Sequence, residues 1–171
     1  MKKFSLLFFV FCILISAANF SWHKFYSIDG QCEILFPNKP HHIKQIIPIE
    51  DNSYINYNVY LSAFDEDSTV CMMIIVDFPT KIDSGKEIQS LEGFLNGILN
   101  HKSEKKLISA SYSEFQDLTA LDFLVENENR LFKGKAIISD SKMYLIAMEY
   151  DDHLELDKTY DKYISSFNLK N

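Results

Sequence analysis

The sequence VCMMIIVDF occupies residues 70–78 and is apolar at every position from Val70 to Val76. A run of this length is typical of a strand, and it falls well short of the roughly 20 residues that a membrane-spanning helix needs. Successive side chains of a strand point to opposite faces of the sheet, so a strand that is apolar on both sides must be covered on both sides. The run therefore predicts a central strand that lies between two layers of the protein.

The segment before this strand alternates between apolar and polar residues. From Tyr54 to Phe64, one set of alternate positions includes Asn56, Asn58 and Ser62, while the other set is apolar. A period of two predicts a strand with one apolar and one polar face. The apolar positions are Ile55, Tyr57, Val59, Leu61 and Ala63.

Two helical patterns are inserted among further strand patterns. Apolar residues recur every three or four positions from Lys86 to Asn100 and again from Leu156 to Phe167, which predicts two amphipathic helices. The other predicted strands are a hairpin from Phe25 to Phe36, the segment from Ile43 to Ile49, and four segments near 107–112, 118–125, 131–139 and 143–150. Because the strands are joined mostly by short turns, we expect an α+β fold with a central antiparallel β-sheet flanked by helices.

The N-terminus has the order of a secretory signal peptide. Two lysines are followed by an apolar run from Phe4 to Ile15 and then by small residues. A positive start, a short apolar stretch and a small-residue cleavage site are the three parts of such a signal. We therefore expect residues 1–18 to be a signal peptide that is cleaved after Ala18. The alternative is an uncleaved N-terminal anchor in the inner membrane, because the apolar character continues to Phe20.

Residues 19–171 are expected to form a single globular α+β domain. Their number suffices for one hydrophobic core, and no linker or repeat divides them. Removal of the two leader lysines from the 17 basic residues leaves 15 against 24 acidic ones, a formal charge of −9. Such an acidic surface repels phosphate backbones and anionic lipid headgroups. We therefore expect no nucleic-acid partner and, after signal cleavage, no membrane span.

Two cysteines follow the predicted leader, Cys32 and Cys71. Export would bring them into an oxidising compartment, where a disulfide between them could stabilise the fold by about 3 to 4 kcal/mol. Each cysteine also lies in an apolar strand pattern, where a free thiol packs as a small hydrophobic side chain. The sequence leaves both alternatives open.

No known signature of a catalytic, metal or cofactor site is present. The chain lacks G-x-S-x-G, H-E-x-x-H, the P-loop and the dinucleotide-binding glycines. His41 and His42 are adjacent, and adjacent strand residues point to opposite faces, so the pair could not easily hold one ion. We expect no catalytic, metal-binding or cofactor-binding residue. The acidic turn Asp65-Glu66-Asp67 lacks the spacing of a calcium loop and is expected to be a solvated hairpin tip that a partner protein could contact.

The order of these pieces resembles the Mog1/PsbP-like superfamily. The resemblance rests on Phe25-Tyr26-Ser27-Ile28-Asp29-Gly30 and Ile34-Leu35-Phe36-Pro37 near the start, and on the strand pair from Leu131 to Tyr150 followed by Ser165-Ser166-Phe167 near the end. It spans nearly all of residues 19–171. It implies a PsbP-like α/β/α sandwich and a role as an assembly, binding or accessory protein. The resemblance assigns no functional residue, because fold alone does not determine function.

Export, the missing catalytic motifs and this resemblance together predict an exported, non-catalytic protein of the bacterial cell envelope, periplasmic or secreted. We expect it to bind or help assemble a partner protein. One alternative is a small-ligand binder with a pocket between sheet and helices, lined by Tyr57, Phe64, Phe94 or Tyr112. Another is an exported hydrolase whose site is assembled from residues that are distant in sequence.

The predicted leader can be tested directly. We expect the protein purified from an expressing bacterium to begin at Asn19 and to lie outside the cytoplasm, because the peptidase cleaves after small residues. Cell fractionation followed by N-terminal sequencing measures both properties. A chain that begins at Met1 in the membrane fraction would indicate an uncleaved anchor instead.

Overall fold

The computed structural model describes residues 22–49, 52–64, 69–100 and 105–170, which form ten strands and two helices. The strands are β1 (His23–Ser27), β2 (Cys32–Phe36), β3 (His41–Pro48), β4 (Tyr54–Phe64), β5 (Thr69–Asp77), β6 (Lys105–Phe115), β7 (Leu118–Asn127), β8 (Arg130–Ser139), β9 (Lys142–Asp151) and β10 (Asn168–Leu169). The helices are α1 (Glu87–Asn100) and α2 (Asp157–Ser165). The predicted signal peptide and residues 65–68 of the acidic turn lie outside the described residues.

Within these ranges, seven strands form a large antiparallel sheet in the order β3-β4-β5-β9-β8-β7-β6. Its middle strand is β9, in which all residues from Met143 to Met148 are buried. β5 lies between β4 and β9, and its register with β9 is unbroken from Thr69 to Asp77. The apolar run from Val70 to Val76 therefore forms an interior strand, one position from the middle of the sheet.

One face of the large sheet is covered by a mixed layer. Cys71, Met73 and Ile75 of β5 point to this face and are 0%, 0% and 1% exposed. A three-stranded sheet in the order β1-β2-β10 and helix α2 pack against them. The small sheet contributes Ile34 and Phe36, because alternate residues of β2 are apolar and share one face.

The opposite face is covered only in part. Helix α1 packs over β6, β7 and β8, with Leu91 and Leu95 as its buried residues. A helix is about 10 Å wide, whereas seven strands span about 29 Å between the outermost two. One helix therefore cannot cover this face, and no helix or strand of the described residues packs over β3, β4 and the adjoining part of β5.

The predicted sandwich of a sheet between helices needs correction. Each face of the antiparallel sheet does carry one helix, but the layer that contains α2 also contains three strands. Two of these strands come from the hairpin between Phe25 and Phe36, whose alternating apolar residues must bury a face of their own. The third, β10, pairs through Asn168 with Glu33 and through Leu169 with Cys32. The fold is α+β, with more strand than the sequence suggested.

The more deeply buried face of β4 is the one that carries its polar residues. Asn58 and Ser62 are 3% and 2% exposed, whereas the apolar set lies on the face that α1 leaves uncovered. Asn58 Oδ1 lies 3.0 Å from His42 Nε2, and Ser62 Oγ both donates to Asn38 O and accepts from Asn38 N–H at 3.1 Å. Polar side chains can be buried when hydrogen bonds replace those lost to water. Polarity alone therefore does not identify the buried face of β4.

Candidate binding cleft

The uncovered part of the large sheet is the floor of a cleft with a volume of about 770 Å³. The segment from Phe78 to Lys86, which connects β5 to α1, forms one wall together with Phe94 of α1. The floor consists of side chains of β4 and β5, namely Ile55, Tyr57, Val59, Ile74 and Val76. Apolar cavities of about 300 to 1,000 Å³ are typical ligand sites.

The wall of the cleft is fixed to the turn between β8 and β9. Phe78 N–H donates to Ser141 O at 2.8 Å, and Ile82 N–H donates to Asp140 O at 3.1 Å. An ion pair between Lys81 and Asp140 joins the same segments. The hydrogen bond and opposite charge raise the pKa of Lys81 and lower that of Asp140, because each favours the charged form of the other. The wall is therefore held by bonds within the protein that require no occupant.

The rim of the cleft has matched charges. Lys86 Nζ lies 2.6 Å from Asp83 Oδ2, and Lys81 is paired with Asp140. The remaining polar side chains at the cleft include the uncharged Gln45 and Ser90. The site therefore favours an apolar occupant rather than an ionic one.

The cleft opens towards β3, the edge strand of the sheet. Odd-numbered residues of this segment share the face of Gln45, because side chains alternate along a strand. Three of them are isoleucines, namely Ile43, Ile47 and Ile49. They are 54%, 37% and 40% exposed. The apolar surface thus continues from the cleft floor to the edge of the sheet.

A solved structure has the same architecture. The solution structure of cyanobacterial PsbP (CyanoP) from Synechocystis sp. PCC 6803 matches this chain over 90% of its length and 95% of the other chain, with a TM-score of 0.60 and 15% sequence identity. The chain has a PsbP-like fold. No protein-family model and no curated protein matches the sequence. The match establishes the PsbP-like fold that the sequence resemblance predicted. At 15% identity it does not establish a function.

Two of the four aromatic residues proposed for a ligand pocket line the cleft of this PsbP-like domain, namely Tyr57 and Phe94. Tyr112 lies at the other edge of the sheet, where its hydroxyl donates to Glu92 Oε1 of α1 at 2.9 Å. The side chain of Phe64 lies outside the described part of the chain. The third aromatic residue of the cleft lining, Phe78, was not among the four candidates.

The two adjacent histidines of β3 lie on opposite faces of the sheet. His42 stacks on Tyr60 with ring centroids 4.4 Å apart, while His41, next to it on β3, belongs to the opposite face by strand alternation. In the described ranges, no group of three or more His, Cys, Asp or Glu side chains could hold a metal ion. Nor is any helix there long and apolar enough to cross a membrane. Asp65, Glu66 and Asp67 lie outside the described residues, so their role in partner contact stays a prediction.

Sequence reasoning missed a buried polar cluster on β6, β7 and β8. Lys135 is 8% exposed, and its Nζ lies 2.6 Å from Asp122 Oδ1 and 2.9 Å from Ser113 Oγ. Ser113 Oγ donates to Asp122 Oδ2 at 2.5 Å. Lys135 Nζ thus bridges the carboxylate of Asp122 and the hydroxyl of Ser113, which are themselves hydrogen-bonded. The cluster therefore gives the polar end of a buried lysine two partners.

The two cysteines of the described chain are free thiols that are both 0% exposed. The Cys32 thiol donates towards Met73 Sδ at 3.9 Å. Burial raises the pKa of each thiol to about 12, because apolar surroundings disfavour the thiolate. In the structure, the cysteines therefore pack as small hydrophobic side chains.

The reactivity of these thiols distinguishes two free cysteines from a disulfide between Cys32 and Cys71. In the folded, leader-free protein at about pH 8, we expect Cys32 and Cys71 to resist iodoacetamide, because the reagent attacks an accessible thiolate. Both should react in denaturant without added reductant, as counted by mass spectrometry. Thiols in the unfolded protein titrate near pH 8.5, below the raised pKa of the buried thiols. Their contribution to the free energy of unfolding should therefore be fully present below that pH and should fall as the pH rises towards 12. Failure to react even in denaturant would indicate a disulfide.

Proposed function

We propose that this chain is an exported, non-catalytic accessory protein of the bacterial cell envelope, and that it binds a partner protein through the cleft. The observation that carries the proposal is the unequal cover of the large sheet: α1 packs over β6, β7 and β8, and no other helix or strand among the described residues covers the apolar face of β3, β4 and β5. The leader pattern, the absence of catalytic motifs and the resemblance to a superfamily of accessory proteins support it.

The dimensions of the uncovered face fit one helix of a partner. Three adjacent strands are about 10 Å across from the first to the third, which is close to the diameter of a helix. An amphipathic helix laid beside α1 would bury its apolar side on Ile55, Val59 and Ile74, and would reach Ile43 and Ile47 at the edge. Helices that lie in apolar grooves are a common mode of protein recognition. The partner would thereby extend the layer that α1 forms over β6, β7 and β8 to the rest of this face.

A second candidate, the binding of a small apolar molecule, is favoured by the volume of the cleft. A volume of about 770 Å³ lies in the range of ordinary ligand sites. Tyr57 and Phe94 offer aromatic surfaces, and Gln45 offers an uncharged hydrogen-bonding group. The continuation of the apolar surface to the edge of the sheet favours the protein partner, because a small molecule would leave that part of the surface in water.

Two tyrosines on β4 provide a matched test. Tyr57→Lys puts an ammonium on the cleft floor, while Tyr54→Lys puts the same charge on the opposite face, where Tyr54 is 53% exposed. Tagged wild-type protein and both variants are used for affinity capture from the envelope of the native bacterium. We expect one recurrent protein with wild type and Tyr54→Lys, and at least about tenfold less with Tyr57→Lys, because covering an unpaired charge is costly.

Thermal unfolding of both variants controls for loss of the fold. If Tyr57→Lys folds and still captures the partner at the wild-type level, the cleft is not the docking surface. Native mass spectrometry of the captured wild type tests the second candidate, since a bound small molecule would add a fixed mass that Tyr57→Lys should lose. If neither a recurrent protein nor an added mass is found, both proposals are wrong.

A further inference from the structure

The edge strand β3 carries Lys44 and Pro48, residue types that often protect sheet edges, but it has no β-bulge that would interrupt pairing with another chain. It lies at one end of the large sheet, and all of its residues from His41 to Pro48 are exposed. Its register with β4 is unbroken over the same residues. At the other end of the sheet, β6 carries a register shift between Leu107 and Ser109. Bulges of that kind prevent an edge strand from pairing with another chain, whereas a flat edge invites pairing.

The hydrogen bonds to β4 determine which backbone groups of β3 are free. Ile49 N–H donates to Ser53 O at 3.0 Å. Hydrogen-bonded and non-hydrogen-bonded pairs alternate in an antiparallel ladder, so the odd-numbered residues of β3 bond to β4 and the even-numbered ones point away. The N–H and C=O groups of His42, Lys44 and Ile46 therefore face outwards, and no bond to them is present among the described residues. Pro48 belongs to the same outward set, where its missing N–H costs no bond in the ladder.

We propose that β3 pairs antiparallel with β3 of a second copy of this chain, with Lys44 opposite the partner's Ile46. Outward groups can bond only to outward groups, so even-numbered residues must face even-numbered residues across the interface. Two such registers overlap nearly the whole strand. One places Lys44 opposite the partner's Lys44, and like charges directly opposite each other destabilise a sheet. The other register is the proposed one, and its two-fold axis passes through Gln45.

The proposed register is favourable on both faces of the joined sheet. On the cleft face, Ile43 lies opposite the partner's Ile47, so side chains that are 54% and 37% exposed gain apolar neighbours. On the other face, the 55% exposed Ile46 lies beside the stem of the partner's Lys44. The N–H groups of His42, Lys44 and Ile46 in each copy all find a carbonyl, including that of the partner's Pro48.

The local charge of the edge opposes pairing between two copies less than the charge of the whole chain does. The whole chain has a formal charge of −7, which opposes association. β3 contains Lys44 and two histidines and no acidic residue, so the acidic groups that repel another copy do not lie on the paired strands. Lys44 is itself 4.0 Å from Asp29, which reduces its repulsion of the same residue in the other copy.

Disulfide trapping tests the register. In a non-hydrogen-bonded pair the two Cα atoms are about 4.5 Å apart, within the range that a disulfide can bridge. After expression of the full chain and purification, Gln45→Cys should therefore form a dimer under mild oxidation. Ile43→Cys is the matched control on the same strand and face. Its two copies would be four residues apart along the strands, about 14 Å, and should not cross-link. The native Cys32 and Cys71 are buried and do not compete.

A second pair of variants tests the backbone bonds. Lys44→Pro removes one outward N–H without touching the ladder to β4, whereas Lys44→Thr removes the same charge and keeps the N–H. In sedimentation velocity over a concentration series, wild type and Lys44→Thr should form a dimer, and Lys44→Pro should remain a monomer with the same thermal midpoint. A wild type that is monomeric at every concentration overturns the proposal. So does a dimer that survives Lys44→Pro or that cross-links equally through Cys at position 43.

Discussion

Everything in this structure depends on the need to cover both faces of the interior strands β5 and β9. Because β9 buries six consecutive residues from Met143 to Met148, its neighbours must support a core on each side. The chain meets this need with separate segments. One core forms under the small sheet and α2, and the other forms under α1. No single helix is wide enough to close the second face.

The incomplete second face places the candidate functions in one region. The cleft floor, its open side and the free edge all belong to β3, β4 and β5, whereas the ion pair and hydrogen bonds that fix the cleft wall join the turn between β8 and β9 to the segment before α1. A partner helix would lie on the cleft face of the sheet, whereas a second copy would bond to the outward backbone of β3 in the plane of the sheet, and both would contact Ile43 and Ile47. Pairing at β3 would bring two clefts side by side.

The sequence predicted the parts of the fold that depend on local pattern. The apolar run at Val70, the hairpin that ends at Phe36 and both amphipathic helices were correctly identified, because each is set by residues close together in the chain. Which face of β4 is more deeply buried did not follow from its alternation, since Ser62 is satisfied by Asn38, 24 positions away. The cluster of Ser113, Asp122 and Lys135 depends on the register of three strands. Likewise, β10 is too short to leave a periodic signal.

The central claim is that half of one sheet face is open, and NMR with a soluble paramagnetic gadolinium chelate tests it most directly. Methyl groups of Ile55, Val59 and Ile74 lie on the uncovered half, while those of Leu121, Val125 and Leu145 lie in the core that α1 covers and are at most 2% exposed. The account predicts strong relaxation enhancement for the first set and little for the second. Equally small enhancement for both sets in the isolated protein would contradict it, because the whole face would then be covered by the chain itself.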